Sequence, residues 1–171
     1  NQIISWGFPK PMVAALNGLD VEGERLRAHL FGTDRVRFPA ALRSGLRELQ
    51  DDRCFYCDER LGQRIEVDHF IPWSRWPNDA IENLVLADAC NSHKSDHLAA
   101  SEHVQRWSER GVERGDDLVE ISESAGWLTE PARTFAIGRS TYFHLAEGTP
   151  LWIRAGTFAD EDPRSIASSM S

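Results

Sequence analysis

Three pieces between residues 64 and 94 decide how this chain is read: Arg64-Ile65-Glu66-Val67-Asp68-His69, then Asn83-Leu84-Val85-Leu86, then a segment opening at Cys90-Asn91 and reaching Lys94. The first two are short, one carrying Ile65 and Val67 and the other Leu84, Val85 and Leu86, and both read as strands. Between them lie Pro72, Pro77, Asn78 and Asp79, residues that interrupt regular structure, so the strands are joined by a loop rather than a tight turn. A helix is expected to begin near Cys90 or Asn91. Strand, loop, strand and helix make a small ββα unit.

Working outward, the flanks read as helical. Upstream, Asp20 is a plausible N-cap with Glu22 and Glu24 in the first turn, and Leu26 and Leu30 stand four apart before Gly32. Pro39 suits the first turn of a second helix, in which Phe38, Leu42, Leu46 and Leu49 recur at helical spacing up to Asp51 and Asp52. Arg43 and Arg47 lie one turn apart on it, with Arg35, Arg37 and Arg53 nearby; a solvated face is expected, a grip on phosphates being the alternative. Downstream, Val104 with Trp107, Leu118 with Ile121, and Phe135 with Tyr142 and Leu145 predict three helices separated by Gly111, Gly115 and residues 126–131. From Phe158 the chain turns acidic and serine-rich and is expected to be extended or mobile.

The expected fold class is therefore α+β, mostly helical, with the ββα core embedded in a helical shell. The expected organisation is an N-terminal helical segment over 1–52, the core over 53–98, a C-terminal helical region over 99–157 packing on it, and a flexible tail over 158–171. At 171 residues with 41% hydrophobic content, the chain can bury a core of its own. It has no apolar run long enough for a membrane span and no secretory leader pattern near residue 1, so no membrane association and a cytoplasmic location are expected. It starts at Asn1 rather than Met, which reads as a fragment or processed product whose upstream part is not in view.

The net charge of −8 argues against loose electrostatic binding to nucleic acid. The balance is uneven: residues 1–53 carry eight Lys and Arg against seven Asp and Glu, whereas residues 111–171 carry five against ten. Any nucleic-acid surface must be a local arginine patch, and the acidic residues bind metal or cover another face. Three cysteines are too few for a disulfide framework, and the Cys54-x-x-Cys57 spacing suits a metal or a redox pair.

Chemistry-bearing residues concentrate between Cys54 and Lys94. Cys54-x-x-Cys57, Val67-Asp68-His69-Phe70-Ile71-Pro72, Glu82-Asn83-Leu84-Val85 and Cys90-Asn91-x-x-Lys94 follow one another within 41 residues. In order and spacing this segment resembles the HNH endonuclease motif, the ββα-metal or His-Me finger nucleases, over about a quarter of the chain. More loosely, residues 38–148 resemble bacterial HNH proteins whose core sits inside a larger helical chain.

The resemblance implies a metal-dependent endonuclease that hydrolyses phosphodiesters in nucleic acid, with double-stranded DNA as the expected substrate. It implies that His69 takes the proton from the attacking water, a task suited to the side chain whose pKa lies near working pH. It implies that Asp68 and Asn91 hold the catalytic cation and that the Asn83 amide ties loop backbone so as to hold the strand ends. The variant here is His-Asn-Asn, with Asn91 where many members carry a final His. A neutral amide oxygen is a hard, weak ligand that fits magnesium, with manganese or nickel as alternatives. Lys94 and Arg75 are the candidate phosphate contacts, surface charge being the alternative reading.

In family members with a structural zinc, a second Cys pair would stand at 87 and 90, yet this chain has Ala87. Cys54, Cys57 and Cys90 supply three ligands and His93 is the expected fourth, with His97 or Asp88 as alternatives; core packing of Cys90 without metal is the competing reading. Such a zinc would staple the fold. Trp73 and Trp76 flank Arg75, and packing over the hairpin is expected of them before stacking on bases. The resemblance leaves the biological setting open; restriction or phage defence is the expectation, and so is a protein partner or an upstream domain. A module that keeps the fold but only binds nucleic acid, or a zinc-ribbon interaction scaffold, is the alternative.

Overall fold

The computed structural model describes residues 37–170. The helix expected from Asp20 and the placement of Arg35 lie outside them. In chain order the described elements are α1 (Ala40–Leu49), β1 (Glu66–His69), a 3-10 turn (Ile81–Asn83), β2 (Leu84–Ala87), α2 (Ala89–Lys94), α3 (Ser101–Glu113), α4 (Gly115–Ala125), α5 (Pro131–Phe143), β3 (Leu151–Arg154), β4 (Thr157–Ala159) and α6 (Pro163–Ser169). This is an α+β, mostly helical fold around a small ββα unit.

Helix α1 forms where the spacing places it. Leu42, Leu46 and Leu49 are buried on one face, each worth about 1.5–3 kcal/mol of transfer free energy, while Arg43 and Arg47 face solvent. Arg47 is paired with Asp52 rather than free for phosphate. Past the helix, the Gln50 side chain behaves as a short extra strand: its oxygen accepts from Leu86 N at 2.8 Å and its nitrogen donates to Leu86 O at 2.9 Å. That bonding satisfies backbone groups that the open edge of a two-stranded sheet would leave bare.

Strands β1 and β2 pair antiparallel with Glu66 opposite Ala87 and His69 opposite Leu84. All four residues of β2 are buried, because α1 covers the strand and α3 reaches its start. The indole of Trp107 donates to Glu82 O at 2.7 Å, and Arg110 donates to Glu82 O at 2.7 Å and to Leu84 O at 2.9 Å. These bonds lock the 3-10 turn that feeds β2. Helix α3 runs through Gly111, which sequence reading takes as a break. A Cβ at Gly111 would stand 2.0 Å from Phe135 Cζ, so the glycine admits the ring from α5 instead of ending the helix.

The region from Phe158 onward corrects the expectation of a mobile tail. Leu151–Arg154 and Thr157–Ala159 form a second hairpin turning at Gly156, whose φ of +68° suits glycine. The backbone of Trp152 donates to Leu98 O at 2.8 Å and accepts from Ala100 N at 2.8 Å, which fastens this hairpin just past α2. Asp162 caps α6 by accepting from Arg164 N and Ser165 N, with Pro163 at the first helical position. Glu161 accepts from the backbone and hydroxyl of Ser101 at the start of α3. The acidic run is thus consumed by capping, and Ile166 and Ala167 join the core. Among the described residues, no helix is long and apolar enough to cross a membrane.

Candidate active site and metal centre

Alternation along β1 puts Glu66 and Asp68 on one face and Val67 and His69 on the other. Helix α2 packs on the Glu66 and Asp68 face. One turn of helix separates Asn91 from Lys94, and one strand repeat separates Glu66 from Asp68, so the pairs align: the Asn91 amide donates to Glu66 Oε2, and Lys94 Nζ lies 3.0 Å from Asp68 Oδ2.

Asp68 is 8% exposed and receives a second bond on the same oxygen, from Tyr56 Oη at 2.5 Å. Burial first, and then the adjacent Asp68 carboxylate, push the Tyr56 phenol well above its ordinary range, so it stays a donor. Both bonds fall on Oδ2 and leave Oδ1 for a ligand. Lys94 is 0% exposed and also donates to His69 O at 3.0 Å. This overturns the expectation that Lys94 touches phosphate: it is sealed behind the strand, and its charge is spent on Asp68 and a backbone carbonyl. Arg75 is exposed on the loop as expected.

On the opposite face, His69 Nε2 lies 2.8 Å from Asp79 Oδ1, with the His69 side chain 18% exposed. Asn83 explains how a loop of this length is held. Its oxygen accepts from Ile71 N at 2.8 Å, and its amide nitrogen donates to Ile71 O at 3.1 Å and to Asn78 O at 3.0 Å. One fully buried side chain therefore ties the two ends of the loop to each other. Asn78 carries the chain outward, accepting from Ala80 N and donating to Thr134 Oγ1 on α5.

A third constellation gathers at the start of α2. The ligand atoms of Cys54, Cys57, Asp88 and Cys90 all lie within 4.8 Å of one another. Cys54 and Cys57 share a tight turn, with Asp58 N donating to Cys54 O and Asp58 at a φ of +61°. Asp88 is the N-cap of α2, accepting from Cys90 N at 2.9 Å; that bond lowers its pKa and keeps it anionic. Burial pushes both the Cys54 and Cys90 thiols up. Three thiols and a carboxylate converging on one point are a donor set suited to tetrahedral zinc. The fourth member of the group is Asp88; His93, the expected ligand, is exposed and outside it, because a residue one turn into α2 has passed the cysteines while the N-cap has not.

Residues 54–100 match the family model of HNH endonucleases. This segment is an HNH endonuclease domain. A search of curated proteins gives no match to the chain. The motif pieces of the HNH domain thus fall on the elements just described, with His69 ending β1, Asn83 bracing the loop and Asn91 on α2.

Of four residues that act on this site, the motif signals only Lys94, and in another role. Tyr56 and Lys94 hold Asp68, Glu66 orients the Asn91 amide, and Asp79 meets His69. With the Asn91 nitrogen turned to Glu66, its oxygen remains for a ligand. Asp68 Oδ1 and the Asn91 oxygen are hard donors of the kind that take a largely hydrated magnesium or manganese ion. Trp73 and Trp76 are 39% and 47% exposed, so more than half of each is covered while part of each residue faces solvent.

Proposed function

We propose that this chain is a metal-dependent endonuclease that hydrolyses phosphodiester bonds in double-stranded DNA. The observation that carries this reading is a partly exposed His69 imidazole at the end of β1, on an HNH domain whose Asp68 and Asn91 each keep an oxygen unspent. His69 accepts the proton of the attacking water. Arg75, exposed on the adjoining loop, meets a substrate phosphate and offsets charge on the nucleic acid. Tyr56 and Lys94 hold the Asp68 carboxylate in place, and Glu66 orients the Asn91 amide. A divalent cation bound by Asp68 and Asn91 would supply positive charge to the phosphorane-like transition state and the departing oxygen. Zinc at Cys54, Cys57, Asp88 and Cys90 would be a staple for the fold with no part in the reaction.

The test is nicking of supercoiled plasmid by the purified protein in EDTA, magnesium, manganese or nickel, beside His69→Ala and Asn91→Ala. Metal-dependent nicking that disappears in the His69 variant is expected. Nicking that persists unchanged in His69→Ala would overturn the assignment of the base, and absence of nicking in every metal would favour a module that only binds.

A further inference from the structure

We propose that Asp79 is a positioning residue that selects which nitrogen of His69 works as the base. This rests on the reading of His69 as the base and extends it to a residue outside the HNH motif. A neutral imidazole has one N–H donor and one lone pair, and the side that meets a carboxylate must be the donor, because a carboxylate only accepts. With Asp79 Oδ1 at 2.8 Å from Nε2, the proton sits on Nε2 and the lone pair is on Nδ1. Without that contact the proton can occupy either nitrogen, and a fraction of molecules would present an N–H to the water they must deprotonate.

Asp79 is built to hold this position. Its own carbonyl accepts from the Trp127 indole at 2.7 Å, and the next residue's N–H is taken by the Asn78 side chain at 3.0 Å. Phe38 packs against both His69 and the Trp127 that holds the Asp79 carbonyl, its ring 6.0 Å from that of His69 and 5.5 Å from that of Trp127. The carboxylate thus comes from a loop position fixed by the turn after α4 and by the Asn83 brace, while the imidazole comes from the strand. Rotation of His69 about its side-chain bonds would cost the hydrogen bond and the ring contact together. The side chain of Asp79 is 31% exposed, which leaves it in contact with solvent without displacing it from the ring.

The amide in Asp79→Asn can donate as well as accept, so it stabilises either tautomer. In a serine protease, where a carboxylate plays the same role toward a histidine, that change costs roughly four orders of magnitude. For plasmid nicking in manganese, we expect kcat of Asp79→Asn to fall about 10²- to 10⁴-fold with KM changed less than about threefold, and Asp79→Glu to recover part of the loss. In the His69→Ala background, adding Asp79→Asn should cause no further loss, since a residue that acts through the imidazole has nothing to act on when the ring is absent. Independently of activity, nitrogen-15 spectra of the His69 ring at about pH 8 should show the Nε2–H tautomer in the wild-type chain and a mixture in Asp79→Ala.

Wild-type kcat in Asp79→Asn, or a mixed tautomer in the wild-type spectrum, would overturn the inference while leaving a His69→Ala defect intact. A His69→Ala variant that still nicks would instead overturn the reading of the base itself. Additive losses in the double variant, with a lowered melting temperature, would reduce Asp79 to a loop support and also overturn it.

Discussion

Two centres meet at the ββα unit, one of them drawing two cysteines from the turn before it, and they are built on opposite plans. At the cysteine centre, four ligand atoms converge on one another, and Asp88 is brought in by the capping geometry of α2. At the proposed hydrolytic centre, each donor is held by a different neighbour: Asp68 is held on one oxygen by Tyr56 and Lys94, Asn91 is held on its nitrogen by Glu66, and His69 is held on Nε2 by Asp79. The first plan closes a coordination sphere and yields rigidity. The second leaves each group with one atom unspent, the condition for binding a hydrated ion, a water and a phosphate at once. The two centres differ both in ligand type, thiols at the first and hard oxygens at the second, and in which atoms the neighbours occupy.

The sharpest test of that contrast is removal of each centre. Structural zinc ties roughly 10–16 kcal/mol of binding to folding in small domains, so Cys90→Ala is expected to lose bound zinc and its cooperative melt, whereas Asn91→Ala should melt like the wild type. Zinc content by atomic absorption should drop in Asp88→Ala and stay at one per chain in His93→Ala; the reverse order would restore histidine as the fourth ligand. Next in size, His69→Ala should lose about 10²- to 10⁴-fold in nicking rate at unchanged melting temperature, since its effect is confined to the open centre.

Lys94→Met probes the wall behind Asp68. Breaking a buried ion pair costs about 3–5 kcal/mol, so a denaturant melt should record a loss of that order. A phosphate contact would instead lower the salt dependence of DNA binding at unchanged stability. His103 packs edge-on to Tyr56 in the same wall, and burial holds its pKa below 6.5 in the folded chain. The unfolded chain then binds the proton more readily, so stability should fall as the pH drops below about 6.5 and level off under the folded-state pKa; His103→Gln should flatten that part of the curve. The smallest effect belongs to the loop over the open centre. Trp76→Ser should change stability by no more than about 0.5 kcal/mol, and a loss of several kcal/mol would mean that the indole packs after all.

The order of pieces from Cys54 to Lys94 was enough to read the hairpin, the following helix, the family and the brace formed by Asn83. The hairpin and the helices depend on local rules, alternation in a strand, leucines four apart in α1 and prolines in a loop, whereas the Asn83 brace was what the resemblance to the HNH family implied. Helices α3, α4 and α5 were legible for the same reason, although Gly111 reads as a break until the Phe135 ring is seen against it. Residues after Phe158 read as a tail because their acidity was counted as charge, when Asp162 and Glu161 serve as caps.

Partnerships across the fold were decided only in three dimensions. Lys94 is spaced like a phosphate contact, but the packing of α2 on β1 buries it against Asp68. His93 and Asp88 are both close to Cys90 in sequence, and the direction in which α2 leaves the cysteines chooses between them. Asp79 is ten residues from His69 and looks like a turn former until the Asn83 brace and the Trp127 indole set it beside the ring. Sequence periodicity reports which face of an element is apolar, but the partner of a buried polar group depends on how several elements pack together, and no local pattern encodes that.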